Sequence, residues 1–280
     1  MFDEFHRTER RIMMNTIKRF FQTAFFTALI GSTVSAENYK DLYSADLNIN
    51  PTSENLASYL KTKNEGWFAY TIPAAPKSHS MCCFNQGKQT ACDLTSNKGG
   101  FWSSDDSPYT SNIHVFVDIQ KGQVNQIMPV GDHCEVKGNG IMIDWFMNIN
   151  QKQSIQWLKE QAVENGRNDS LYVLSLHYDQ AAADALFDLA NKNADDYSED
   201  AVFWLGQRDF DGFDRLKSLY QNLPKGQVRR KINFALSQNQ QSEATDLLKS
   251  IAQHDEDSEQ QADAISVSYT HLTLPTTPYV

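Results

Sequence analysis

Three similar segments recur in the second half of the chain: SLYVLSL at 170–176, AVFWLGQ at 201–207 and INFALSQ at 232–238. Each begins 31 residues after the one before, with aromatic, leucine and small residues matching in register. Such a period is typical of helical-hairpin repeats, since two helices and two turns take up roughly 30–45 residues. The repetition predicts an array of helical hairpins in this half of the chain.

A second apolar stretch follows each segment, at 181–190, 210–220 and 243–252, and a fourth copy begins at 261–265. Apolar residues recur in these stretches at helical spacing. Their matching pairs are Leu186/Leu189, Leu216/Leu219 and Leu248/Ile251. A repeated hairpin buries its apolar side only by stacking on the next hairpin. The fold class predicted for residues 169–265 is therefore an α-solenoid.

The preceding segment, residues 37–168, differs in composition and in periodicity. It contains all four cysteines and short runs rich in aromatic and β-branched residues, such as GWFAYTI at 66–72 and NIHVFVDI at 112–119. These runs predict strands, and we expect one helix near 154–164. The sequence thus predicts a small β-rich, disulfide-stapled domain at 37–168, ahead of the helical repeats at 169–265.

The N-terminal region has the pattern of a secretory signal at residues 13–36. Two basic residues precede a mostly apolar stretch at 20–31, and the small residues STVSA at 32–36 suit a signal peptidase. The apolar stretch is shorter than the ~20 residues that span a bilayer. We expect cleavage after Ala36, a periplasmic or secreted product without a stable membrane anchor, and an upstream extension at 1–12.

The C-terminal segment SVSYTHLTLPTTPYV, at 266–280, abandons the apolar spacing of the repeats. Its sequence resembles a translated sequencing adapter. We therefore expect the helical pattern to end at Ile265 in this sequence, residues 266–280 to be a non-native tail, and the natural chain to continue past Ile265.

The charge and the motifs of the chain narrow the classes of function. The formal net charge is −10 at pH 7, and an acidic chain repels phosphate backbones. The sequence contains no G-x-S-x-G, H-E-x-x-H or P-loop motif. We expect no nucleic-acid partner, no cofactor and no enzymatic activity.

The four cysteines, Cys82, Cys83, Cys92 and Cys134, lie in one segment of a chain that we expect to be exported. In an oxidising compartment such a set forms disulfides. A bond between the adjacent Cys82 and Cys83 would be strained, so each is expected to pair with Cys92 or Cys134, in either order. The alternative is a metal site formed by the four cysteines and His133, since thiolates and imidazole bind zinc or copper(I).

The segments AVFWLGQ at 201–207 and VRRKINFALSQ at 228–238 resemble the helix motifs of bacterial exported HEAT-repeat proteins. The resemblance covers residues 169–265. In addition, MCC at 81–83 and GDHC at 131–134 are similar to the cysteine-bearing region that accompanies those repeats. The resemblance implies an armadillo-like helical fold, protein binding without catalysis, and a place in envelope-stress sigma-factor systems.

The match to that family is uneven along the repeats. HEAT helices carry an arginine in the second helix, and Arg229 and Arg230 fit this pattern. The family's first turn typically carries a proline or aspartate, and the segments YSED at 197–200 and EQQ at 259–261 do not fit the family's pattern. The prediction of the last two repeats therefore depends on their spacing and on their matching apolar residues.

A local basic strip, formed by Arg208, Arg229, Arg230 and Lys231, stands out in the acidic repeats. We expect it to bind a carboxylate-rich segment of a partner, because charge-assisted hydrogen bonds are strong and steer binding. The function expected from the sequence is a non-enzymatic periplasmic scaffold or adaptor that binds a protein or peptide. The alternative is a metal- or redox-sensing envelope module that uses the four-cysteine domain.

Overall fold

The computed structural model describes residues 47–79, 82–85, 88–95, 100–102, 108–194 and 197–272. These residues belong to one compact unit. The predicted upstream extension and signal sequence at 1–36, and positions 273–280 of the predicted tail, lie outside the described residues.

The part of the chain before residue 150 is rich in strands. They are β1 (Asn48–Thr52), β2 (Glu65–Pro73), β3 (Cys82–Asn85), β4 (Lys88–Thr90), β5 (Cys92–Asp93), β6 (Gly100–Trp102), β7 (Asn112–Gln120), β8 (Gln123–Gly131), β9 (Val136–Lys137) and β10 (Met142–Phe146). The main sheet has the order β1-β10-β2-β7-β8. Its first three strands run parallel, and β7 and β8 are antiparallel to their neighbours. The strands predicted at 66–72 and 112–119 are confirmed as β2 and β7.

The main sheet is buried on both faces, because alternate side chains of its central strands point to opposite sides. Phe68 and Tyr70 of β2 belong to a core that the sheet shares with the helices. Ala69 of β2 and Phe116 of β7 belong to a second core, which contains three of the four cysteines. The cysteine-rich segment thus covers one face of the sheet, and helices cover the other.

Helices dominate the rest of the chain. The helices are α1 (Leu56–Lys61), α2 (Gln151–Asn165), α3 (Asn168–Leu176), α4 (Gln180–Asn191), α5 (Ser198–Gly206), α6 (Phe213–Asn222), α7 (Gln227–Gln238), α8 (Ser242–His254) and α9 (Ser258–Leu272). The three repeated segments form α3, α5 and α7 apart from Gln207, and the second stretches lie in α4, α6 and α8 apart from residues 210–212, so the predicted helical half is confirmed. In the described residues, none of the helices combines the length and hydropathy needed to cross a bilayer.

Each helix of this half packs against the helix two places further along the chain. The first helices of the hairpins contact one another in the order α3, α5, α7 and α9, and the second helices contact in the order α4, α6 and α8, preceded by α2. The matched leucine and isoleucine pairs of the second helices are all buried. Between α5 and α7, a Cβ on Gly206 would come within 2.8 Å of the Ala235 Cβ. This close approach of two helices requires glycine at 206.

The core is continuous across the boundary predicted at residue 168. One cluster of buried side chains extends from Phe68 in the sheet to Leu248 in α8. At the same boundary, the Asp169 carboxylate accepts a hydrogen bond from the Ile127 N–H at 2.9 Å. The β-rich region and the helical repeats therefore share a core instead of forming separate ones.

The last helix, α9, begins in the fourth predicted copy and continues to Leu272. The expectation that the helical pattern ends at Ile265 is wrong. Val267 packs against the hydrophobic core, which extends the buried side of the helix past that point.

The end of β2 is joined to the turn of the first hairpin by backbone hydrogen bonds. The Ala75 N–H donates to the Leu176 carbonyl at 2.7 Å, and the Tyr178 N–H donates to the Pro73 carbonyl at 3.1 Å. Because the two bonds flank one residue of the turn, they fix the first hairpin against the end of the sheet.

The turn residue between these two backbone hydrogen bonds is His177, which is fully buried. Its Nε2 lies 3.0 Å from the Ser154 hydroxyl, which in turn lies 3.0 Å from the Tyr70 hydroxyl. Burial, together with the nearby charge of Arg208, lowers the pKa of His177 to about 3. The imidazole is therefore neutral in the folded protein at neutral pH.

We expect the folding stability to fall as the pH decreases below about 6.5. The unfolded chain binds a proton on His177 near that pH, whereas the folded protein does so only near its pKa of about 3. The free energy of unfolding should therefore be unaffected by this group above 6.5 and decrease by about 1.4 kcal/mol per pH unit below it. Replacing His177→Gln should flatten this slope in urea denaturation between about pH 6.5 and 4.5.

The matched control is His254→Gln, because His254 is exposed at the end of α8. This variant should keep the parent slope. An unchanged slope in His177→Gln would contradict the assignment of the pH dependence to the buried imidazole.

Candidate partner-binding site

The four residues of the predicted basic strip lie in different environments. The side chain of Arg208 is 0% exposed, that of Arg229 is 13% exposed and that of Arg230 is 27% exposed. Because the exposure differs so strongly, the four cations do not form a continuous surface. The prediction that Arg208 binds a partner is wrong.

Arg208 instead closes the C-terminal end of α3. Its Nε and Nη2 donate to the two carboxylate oxygens of Asp211 at 2.7 and 2.8 Å. Its Nη1 donates to the carbonyls of Ser175 and His177 at 3.1 and 2.7 Å. A buried charge is tolerated only when it is paired and hydrogen-bonded, and both conditions are met here. The guanidinium thereby joins the second hairpin to the first.

A sequence signal for this role exists in the repeat itself. His177, Arg208 and Asn239 follow the first helices of three consecutive hairpins, at the spacing of 31 residues. The Asn239 side-chain amide donates to the Gly206 carbonyl at 3.2 Å, so it caps α5 as Arg208 caps α3. A polar residue at this position thus satisfies carbonyls that the preceding hairpin leaves unpaired.

Arg229 also has an internal role. It donates to the Asp255 carboxylate at 2.8 Å and to the Tyr220 carbonyl at 3.2 Å. Burial opposes ionisation of Asp255, but hydrogen bonds from the Tyr220 hydroxyl and the Asp257 N–H, together with Arg229, outweigh it and lower the pKa of the carboxyl. The Arg229 cation is therefore already neutralised within the fold.

Arg230 and Lys231 line an open groove of about 290 Å3 between α5, α7 and α9, which we call the first-helix groove. Its lining residues are Glu199, Gln227, Arg230, Lys231, Asn233, Phe234, Asp263, Ser266 and Val267. Arg230 is paired with Glu259 at 2.7 Å and with Asp263 at 3.6 Å. The Lys231 ammonium lies 6.0 Å from the centroid of the Phe234 ring, and within the described part of the chain no carboxylate lies at ion-pair distance from it. Of the predicted strip, Lys231 remains as a cation for a partner.

A row of aromatic rings continues from this groove along the first helices. Tyr172, Phe203 and Phe234 occupy equivalent positions of three hairpins, and Trp204 lies among them. The ring centroids are 4.6 Å apart for Tyr172 and Trp204, 4.8 Å for Trp204 and Phe203, and 6.0 Å for Phe203 and Phe234. All four side chains are partly exposed. We call this set the aromatic row.

The cysteines form two disulfides, Cys82–Cys134 and Cys83–Cys92. The prediction that each of the adjacent cysteines pairs outward is confirmed, and the structure gives the order. The disulfides indicate an oxidising, extracytoplasmic environment.

The alternative metal site is not formed in the structure. The sulfur atoms of Cys82, Cys83, Cys92 and Cys134 are bonded in pairs and are not thiolates. His133 is exposed, whereas the adjacent Cys134 is buried. The described residues contain no group of three or more histidines, cysteines or carboxylates that could hold a metal ion.

The sequence did not predict a row of hydrogen-bonded side chains, Thr71, His114 and Asp132, beside the disulfide-containing core. The Thr71 hydroxyl lies 2.9 Å from His114 Nδ1, and His114 Nε2 lies 3.0 Å from Asp132 Oδ1. Burial opposes ionisation of Asp132, but His114 and the backbone N–H groups of Asn112 and Ser111 outweigh it and lower the pKa of the carboxyl. Because the His114 imidazole is 1% exposed, we interpret this row of side chains as structural. It connects β2 and β7 to the turn that leads to Cys134.

The comparisons with known proteins do not extend this description. No protein-family model matches the chain, and neither the curated proteins nor the solved structures gave a match.

Replacing Arg208→Ala should destabilise the protein by about 3–5 kcal/mol, because it leaves the buried Asp211 carboxylate and the carbonyls of α3 without their donor. Urea denaturation measures the loss. The matched control is Lys249→Ala, whose ion pair with Asp246 is exposed and should contribute almost nothing. A small effect of Arg208→Ala would contradict the role assigned to the guanidinium.

The two disulfides should differ in their contribution to stability. Cys82–Cys134 joins residues 52 positions apart and Cys83–Cys92 joins residues 9 apart. Since the longer loop restricts the unfolded chain more, removing the first disulfide by paired alanine substitution should cost about 4 kcal/mol, and removing the second about 3 kcal/mol. Thermal denaturation of the two double variants tests the order, and the reverse order would refute it.

Proposed function

We propose that the protein is a non-enzymatic scaffold or adaptor of the bacterial envelope that binds a protein or peptide through its helical repeats. The proposal includes a HEAT-like α-solenoid, in which α3/α4, α5/α6 and α7/α8 are successive hairpins and α9 starts a fourth. It is supported by the spacing of 31 residues and by the contacts between helices two places apart.

The observation that carries the proposal is the aromatic row. Partly exposed rings at the same position of consecutive hairpins form an apolar strip along the first helices, and the first-helix groove lies at its end. Aromatic side chains contribute large contact areas to protein interfaces and dominate many binding hot spots. A strip with this repeat fits an extended segment of a partner.

The groove adds one accessible positive charge to this strip. Lys231 lies beside Phe234, whereas Arg230 is paired within the protein. We propose that an acidic group of the partner pairs with Lys231 while an apolar side chain packs against the rings. Of the four basic residues in the predicted strip, the proposed partner site therefore keeps Lys231.

We propose that the chain is exported, with a signal sequence cleaved after Ala36, and that it acts in the periplasm. The two disulfides support an oxidising compartment. We do not extend the proposal to metal or redox sensing, because the four sulfur atoms are paired and Cys82, Cys92 and Cys134 are buried.

The proposal is tested by crosslinking in intact cells. A photoreactive phenylalanine analogue replaces Gln227, which is exposed and lines the groove, or Lys217, which is exposed on α6. We expect one protein partner to crosslink at position 227 and not at 217. Crosslinks that are the same at both positions, or that are absent at 227, would rule out the groove as the binding site.

Charge reversal in the groove should weaken partner capture. We expect Lys231→Glu to reduce the crosslink from position 227 by about tenfold, since it converts an attraction into a repulsion. The control Lys217→Glu changes the net charge equally on α6 and should leave the crosslink unchanged. Equal yields in the parent and in Lys231→Glu would refute the role of Lys231.

A further inference from the structure

Three aromatic side chains are far more exposed than the aromatic row. Tyr109 is 60% exposed, Tyr178 is 56% exposed and Phe210 is 38% exposed. In the described part of the chain these are the aromatic residues among the exposed large hydrophobic side chains. All three lie in loops at the end of β2 and in the turns of the first two hairpins, outside the first-helix groove.

These loops form one hydrogen-bonded edge, which we call the turn ridge and define as residues 73–79, 108–111, 177–179 and 208–211. The Thr110 N–H donates to the Ser78 carbonyl at 2.9 Å, and the Tyr178 N–H donates to the Pro73 carbonyl at 3.1 Å. Arg208 Nη1 then donates to the His177 carbonyl at 2.7 Å. Each exposed ring lies within two residues of this chain of bonds.

The structure restrains two of the exposed rings. The Tyr109 ring lies 4.7 Å from the ring of His79, measured between centroids. The guanidinium carbon of Arg208 lies 4.6 Å from the centroid of Phe210, and Arg208 is itself fixed by the buried bonds described above. Rings that are held in place before binding lose little conformational entropy when a partner covers them.

The two hairpin turns of the ridge each carry an exposed ring next to a carboxylate. Asp179 follows Tyr178 and Asp209 precedes Phe210, and each accepts one backbone N–H, from Ala181 and from Gln240, at 2.9 Å. A carboxylate has about four acceptor positions, so both retain capacity for a further donor.

The charge balance of the ridge favours a cationic partner. Asp132 is 26% exposed beside the 108–111 loop, and the ionised form of its carboxyl is favoured there. The Arg208 cation is buried and paired with Asp211, so Lys77 is the exposed lysine of the ridge.

We propose that the turn ridge is a second docking surface, for an extended partner segment that carries arginine or lysine side chains. A cation stacked on an aromatic ring gains from the negative face of the ring, and a carboxylate beside the ring accepts its N–H groups. This surface goes beyond the proposed function, because it lies on the turns and not on the first helices. An adaptor with both surfaces holds two segments at once.

The test uses the full folded chain and a fluorescein-labelled peptide of three Arg-Gly-Ser units, with three Glu-Gly-Ser units as the charge control. Fluorescence anisotropy should show binding of the arginine peptide alone. The double variant Tyr178→Ala/Phe210→Ala keeps the net charge and should bind about tenfold more weakly, through the loss of two cation–π contacts. Asp209→Asn should also weaken binding, although its side-chain oxygen still accepts the Gln240 N–H.

The controls separate the ridge from general attraction to an acidic protein. Met142→Ala/Val163→Ala removes exposed apolar side chains elsewhere and should bind like the parent. Equal binding by the parent and the Tyr178→Ala/Phe210→Ala variant, with circular dichroism showing both folded, would overturn the proposal. So would an arginine peptide that does not bind the parent. Neither result affects the crosslink expected from position 227, so the proposals for the turn ridge and for the first-helix groove can be refuted independently.

Discussion

The arrangement of the helical repeats depends on the buried guanidinium of Arg208. Burying a cation away from water costs much free energy unless its N–H groups find hydrogen-bond acceptors. For Arg208 the Asp211 carboxylate and carbonyls at the end of α3 are these acceptors. Burial lowers the pKa of His177 at the junction with the sheet, and the charge of Arg208 lowers it further. The same guanidinium lies against the ring of Phe210. One side chain thus couples the sheet, the first two hairpins and the exposed turn.

The repeat length has a physical basis in contacts of this kind. Several polar contacts join residues 31 positions apart: Arg215 with Asp184, the Gln240 N–H with Asp209, and the Gln260 amide with the Arg229 carbonyl. A one-residue insertion in a hairpin would rotate its helices by about 100° and break these contacts together with the leucine packing. The spacing seen in the sequence is therefore a register imposed by both polar and apolar pairs.

The helices could be predicted because their signal is local and repeated, whereas contacts between distant segments could not. Spacing identified α3 to α8 and the buried leucines, and adjacency ruled out a Cys82–Cys83 bond, but neither specifies which cysteine pairs with Cys92. The chain from Thr71 to His114 to Asp132 joins residues 43 and 18 positions apart. The prediction for Arg208 is wrong for a related reason: local sequence shows its charge, but the carbonyl groups that accept its hydrogen bonds, those of Ser175 and His177, come from the preceding hairpin.

The helical stack has rings in two different settings, on the first helices and on the turns. Position 172 and its equivalents 203 and 234 place a ring on each first helix, where neighbouring rings cover one another and stay partly buried. The turns have no such neighbours, so Tyr178 and Phe210 project further into solvent, beside the carboxylates of Asp179 and Asp209. In the proposed function the helix face therefore favours an apolar segment, and the proposed turn surface favours a cationic one. The aromatic row continues to Phe234 of the third hairpin, whereas the third turn carries Asn239, Gln240 and Gln241 at the positions equivalent to Arg208, Asp209 and Phe210, so the turn surface is confined to the first two hairpins.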